Sequence, residues 1–351
     1  MNQVRILGTI MLFMAFWSCS EDNQEVNPKL STLGKGFFVL NQGNYTLANS
    51  SLSFYNTDSA KMTNQVFYRT NKVPLGDVAQ SMMIKGNYGY LVVNNSGLIY
   101  VIKTFDASFA GKIEGFQSPR HICFVQPDKA YVSDLQLPGI HVVDPVDLQI
   151  KGFIETGKSA EQMLVVNEQV FALNWSNYYT PGDNNTLQVI DPIEDRVADS
   201  IILAKEPNSM VLDKEGYLWV LCSGGFMNEE HAALFRVNTQ TLDVEMRMNF
   251  QNITDSPFGL TIDNSGETLY FINRDIYSLT INDVSLPEEA FVMAGQRNFY
   301  SIGFDPVMKQ VIVSDVRNYI VDGQVLMFSN DGTIIDSSKV GIIPGQIIFN
   351  Y

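Results

Sequence analysis

Apolar residues recur along this chain in runs of five to eight, broken at near-regular intervals by Asn, Gly and Asp, and no segment sustains a helical period. One six-residue pattern returns seven times: AQSMMI from Ala79, PRHICF from Pro119, AEQMLV from Ala160, PNSMVL from Pro207, PFGLTI from Pro257, FYSIGF from Phe299 and PGQIIF from Pro344. Its fourth and sixth positions are always apolar, and its third is small or polar except at His121. Its second position is free: Gln80, Arg120, Glu161, Asn208, Phe258, Tyr300 and Gly345. The spacings run from 40 to 50 residues, the period of a four-stranded propeller blade.

After each hexapeptide the further strands can be read between turns. In the repeat from Ala79 they are YGYLVVNN, LIYVIKT and FAGKIEGF, with turns at Gly86-Asn87 and Ser96-Gly97. The two ends of the chain complement each other. Residues 36–75 offer three strands, GFFVLNQG, SSLSFYNT and NQVFYRT among them, but no opening hexapeptide, whereas PGQIIFNY is a hexapeptide with nothing after it. Together they make one blade with the C-terminal strand innermost, which closes the ring and hides strand edges. The predicted fold is therefore an all-β, seven-bladed propeller with four-stranded blades over residues 36–351.

The N-terminus reads as a targeting segment. Arg5 precedes the apolar run Ile6–Trp17, which is too short to span a bilayer, and Ser18-Cys19 has the form of a lipoprotein cleavage site. Residues 1–18 are thus expected to be a signal peptide, Cys19 the lipidated residue and 19–35 a polar tether. With the lipidation site set aside only Cys123 and Cys222 remain, both in apolar strand sequence, so buried thiols are expected rather than a bridge. Removal of residues 1–18 leaves 22 basic against 38 acidic side chains, a net charge of −16 that disfavours nucleic acid and anionic lipid.

The strands AYVSD from Ala130 and VIVSD from Val311 resemble the YVTN-type repeats of surface-layer and YncE-like propellers, over residues 36–351. Ser20-Glu21-Asp22 resembles the export signal of surface-exposed Bacteroidetes lipoproteins. Together the two resemblances imply an outer-membrane lipoprotein facing outward. One branch of that group captures cobalamin for an outer-membrane transporter, so the resemblance alone implies a corrinoid ligand and a transporter partner. Asp58-Ser59-Ala60 and Asp199-Ser200-Ile201 fit the three-residue O-glycosylation pattern of the same bacteria.

In a propeller the second-to-third-strand loops and the loops between blades emerge on one face, around the central funnel. The free second positions fall at that rim, which makes Gln80, Arg120, Asn208, Phe258 and Tyr300 candidate ligand contacts. The second-to-third-strand loops differ greatly in length. NNSG from Asn94 and NRD from Asn273 are short, with Arg274 at the tip of the latter; NWSNYYTPGDNNT from Asn174, CSGGFMNEEHAA from Cys222 and DVRNYIVDG from Asp315 are long. Long loops on a rigid scaffold carry binding residues, and these add Trp175, Tyr178, Tyr179, Phe226, Arg317 and Tyr319 to the candidates. Aromatics with polar tips suit a large planar amphipathic ligand or a protein partner.

Catalytic chemistry finds less support. His121, His141 and His231 lie in different repeats without metal-ligand spacing, and no GxSxG, phosphate-binding glycine loop or EF-hand pattern occurs. The expectation is a binder with no catalytic residue, metal or cofactor. An interaction scaffold and a lactonase-like or quinoprotein-like enzyme stand as alternatives.

Overall fold

The structure, a computed structural model, describes residues 32–180 and 182–351. The signal peptide and Cys19 lie outside the described residues. Seven antiparallel sheets follow one another around a ring, six of them with their strands in chain order from the axis outward. The inner strands are Ala79–Lys85, Pro119–Gln126, Met163–Val166, Pro207–Leu212, Phe258–Ile262 and Phe299–Asp305 for blades one to six, and Pro344–Asn350 for the closing blade. In the closing blade Pro344–Asn350 pairs with Gly36–Asn41, which pairs with Ser51–Asn56 and then Lys61–Thr63, so the C-terminal strand is innermost as expected.

Seven buried apolar clusters fill the structure, one between each pair of neighbouring blades. The fourth hexapeptide position supplies Met82, Ile122, Met163, Met210, Leu260 and Ile347 to them, all buried. Cys123 and Cys222 are buried free thiols, as expected, and burial pushes the Cys123 thiol up to about 12. His141 is also structural, its ring packed edge-on against Phe116 and Phe153.

Two local expectations fail. NQVFYRT is not a strand: the fourth, outermost strand of the closing blade is Lys61–Thr63, and Val66–Asn71 is a short helix between left-handed residues Gln65 and Lys72. The consecutive residues Val66 and Phe67 both enter the core, a demand that a helical turn meets and an alternating strand does not. Blade five has three strands rather than four. After Asp275–Thr280 the chain makes a single bridge, Val292 to Ile276, and between them runs NDVSLPEEAF, where Pro287 offers no N–H to a ladder.

The end of the expected tether is part of the fold. Leu33 is buried, and its N–H donates to Phe105 O, 2.7 Å, in the turn after the third strand of blade one. That turn lies on the face opposite the hexapeptide starts.

Candidate functional site

The free second position of the hexapeptide has a structural cause, a β-bulge at the start of nearly every inner strand. In blade one Ala79 pairs with Val93 and Ser81 with Val92, so Gln80 has no partner. Asn208 and Gly345 are skipped in the same way. In blades two and six the pairs Arg120-His121 and Tyr300-Ser301 each oppose one residue, Ser133 and Ser314. In blade three Leu173 bonds two successive residues, accepting from Glu161 N–H and donating to Gln162 O. A bulge releases a residue from the pleat and re-aims its side chain, here at the mouth of the funnel. Phe258 is the exception, because it pairs with Ile272 and the bulge falls one residue later.

The third position ties each blade to the next. Gln346 Oε1 accepts from Met82 N–H, 2.7 Å; Ser81 Oγ donates to Arg120 O, 2.6 Å; Gln162 Oε1 accepts from Met210 N–H, 2.8 Å. Ser209 Oγ accepts from Leu260 N–H, 3.0 Å, and Ser301 Oγ donates to Pro344 O, 3.1 Å. His121 does the same work from blade two, its Nε2 standing 3.3 Å from Glu161 Oε1 in blade three. Only Gly259 of blade five has no side chain to offer.

The second positions of blades one to three converge on a single guanidinium. Arg120 clasps the Glu161 carboxylate with Nε at 2.8 Å and Nη2 at 2.7 Å, and its Nη1 donates to Gln80 Oε1, 2.7 Å. The Trp175 ring lies over the same guanidinium, 5.6 Å from its carbon to the ring centroid. Burial alone would raise the Glu161 carboxyl; the Arg120 charge and the hydrogen bonds from His121 and Arg120 outweigh it and hold the group at about 2. A carboxyl held there stays ionised across the neutral range and does not serve as a general acid. A second group stands at blade six. Tyr300 donates to Gln42 Oε1, 3.1 Å, Tyr319 packs edge-on against it at 5.8 Å, and burial raises its hydroxyl pKa. Gly345 leaves room for Gln42 there, since a Cβ on it would stand 2.4 Å from the Gln42 amide nitrogen.

The remaining candidates are not drawn into these two groups. Asn208 is committed to its neighbour, with Nδ2 donating to Pro257 O, 2.8 Å. Tyr178 and Tyr179 pack on each other at the tip of the blade-three loop, and Phe226 projects from the blade-four loop, 87% exposed. Arg274 caps a tight turn in the left-handed conformation, and Arg317 Nη2 donates to Gln324 Oε1, 3.1 Å. Among the described residues, no three His, Cys, Asp or Glu side chains stand where they could share a metal ion. Sequence reasoning passed over Glu161, His121 and Gln42 as site residues. The signal for Glu161 was present: an acid at the hexapeptide position where the preceding blade, 41 residues earlier, carries Arg120.

The family described as DUF5074, a domain of unknown function, matches residues 35–341. No curated protein matches the sequence. Several solved structures share the fold. A quinonprotein alcohol dehydrogenase-like protein from Bacteroides thetaiotaomicron superposes with a TM-score of 0.70 at 16% identity, over 91% of this chain and 79% of that one. A functionally unknown protein from Desulfotomaculum acetoxidans gives 0.66 at 15% identity, over 90% and 99%. A putative 6-phosphogluconolactonase from Bacteroides fragilis gives 0.64 at 13% identity, over 92% and 100%. At these identities the likeness is one of fold alone.

Proposed function

The chain belongs to the DUF5074 family, and from the geometry of its funnel mouth we propose that it binds a ligand there without transforming it. One observation carries the reading. Arg120 and Glu161 at the mouth are spent on each other, with the Gln80 amide as a further partner of Arg120, so what this cluster offers a ligand is polar and aromatic surface rather than a poised acid or base. Trp175, Tyr300 and Tyr319 supply aromatic faces and edges at the same mouth. That combination suits a wide, flat, amide-rich molecule, and the specific ligand proposed is a corrinoid such as cobalamin. It would be taken up by a lipoprotein anchored through Cys19 on the outer surface and passed to an outer-membrane transporter. The protein incubated with cyanocobalamin and then desalted is expected to keep the corrinoid absorbance. Colourless protein would remove the corrinoid.

A second reading, a docking scaffold, draws on the bare apolar loop tips of the same face. Phe226, Met227, Tyr45 and Ile320 are each at least 70% exposed. It predicts that one envelope protein co-purifies with the wild type and is lost from the Phe226→Ser, Met227→Ser double variant. Retention by that variant would count against it.

A further inference from the structure

The irregular blade holds a second cavity, away from the funnel groups. In blade five the chain between the third strand and the bridge at Val292 loops out, and residues 284–288 of that loop line, with the end of blade four, a cleft of about 780 Å³. Its apolar side is an aromatic stack. Phe250 packs edge-on against Phe271 at 5.6 Å, and Tyr277 lies flat on Phe271 at 5.6 Å and 14°. Phe250 and Phe271 are buried in the cluster between blades four and five, whereas Tyr277 is partly exposed at its edge.

The rest of the lining is rich in amides and carboxylates. Asp255 accepts from Asn252 N–H at 3.0 Å and from Asn273 Nδ2 at 3.2 Å, which fixes its carboxylate and leaves further lone pairs open. Asn249 accepts from Arg247 Nε through its oxygen, 2.8 Å, so its two N–H groups remain. Gln251 and Glu288 make no hydrogen bond to any described residue and line the cleft from opposite sides. The lining contains no Lys, Arg or His, and its only charges are carboxylates.

We propose that this cleft is a binding site for a neutral oligosaccharide. An anion would meet two carboxylates and no cation. A purely apolar ligand would leave the amides and acids unpaired. A sugar fits both halves: its C–H face lies on Tyr277, and its hydroxyls, donors and acceptors at once, match the amides and carboxylates. The size falls within the ordinary range of ligand pockets.

The test is calorimetric titration of the full chain with maltotriose, cellotriose, laminaritriose, mannotriose and triacetylchitotriose, and with trigalacturonate as the anionic control. At least one neutral trisaccharide is expected to bind saturably, and trigalacturonate is not. Tyr277→Ala should weaken that sugar by about tenfold or more, and Gln251→Ala, at an exposed residue free of internal bonds, by a few-fold. Tyr277→Phe should keep the affinity within about threefold, because the ring face is retained. Absence of binding by all five neutral sugars, equal binding of trigalacturonate, or an unchanged affinity in both alanine variants would overturn the proposal. Cyanocobalamin retention, measured on the same variants, reads the funnel separately.

Discussion

Glu161 shows how a single residue ties the funnel mouth together and sets its acid sensitivity. Its folded-state pKa, about 2, lies below the ordinary 4.5. Its contribution to stability is therefore complete above the unfolded value and is lost as pH falls from 4.5 toward 2. Glu161→Gln leaves Arg120 without its counter-charge and is expected to cost about 3 kcal/mol at neutral pH. Urea unfolding at pH 7 and pH 3 checks this: the gap between wild type and variant should narrow in acid, and a constant gap would refute the charge pairing. At this scale the chain was partly legible. The freedom of the second position and the polarity of the third were visible in the repeats, and both have a cause, the bulge and the blade-to-blade bond. His121 broke the pattern in size but not in role. The stacking of Trp175 over Arg120 was not legible, because it depends on the path of the blade-three loop.

At the scale of elements, strands were read more safely than their replacements. Each hexapeptide led into an inner strand, because alternation is a repeated, mutually consistent signal, though in blade three the strand begins only at its fourth position, Met163. The helix Val66–Asn71 was missed because Val, Phe and Tyr favour strands, while the packing of two adjacent residues overruled that preference. Blade five looks four-stranded in the sequence because its spacing to the next repeat is ample, but Pro287 within that spacing offers no N–H to a ladder. The blade-three loop offers a direct comparison of function with folding. Trp175→Ala with Tyr178→Ala removes aromatics outside the inter-blade clusters, so cyanocobalamin retention should fall while the melting temperature changes by no more than about 2 °C. Met163→Asp places a charge in the buried cluster between blades two and three and should lower stability by more than about 3 kcal/mol, read by the same melts. A double variant that melts as early as Met163→Asp would show those loop aromatics to be structural.

At the scale of the whole molecule the ring has no free end, because each inter-blade cluster is matched by another around to the closing blade. Removal of residues 344–351 takes out the inner strand of that blade, including Ile347, Ile348 and Phe349, which pack on Val39, Phe38 and Phe37. The loss is expected to be on the order of 5 kcal/mol from apolar burial alone. The peptide PGQIIFNY, supplied in trans, should raise the melting temperature of the truncated chain by occupying the open strand position. No recovery with excess peptide would mean that the closing blade does not accept that strand once the covalent link is gone. Both ends of the described chain share one side of the disc. Leu33 bonds Phe105 behind blade one, and the Tyr351 hydroxyl donates to Asp305 at the end of the inner strand of blade six, also behind. The two faces of the ring thus differ: one carries both described ends, the other the funnel mouth. A linkage made at either end, to a membrane, a resin or a fusion partner, holds it from the back and leaves the funnel pointing outward, unobstructed by its own attachment.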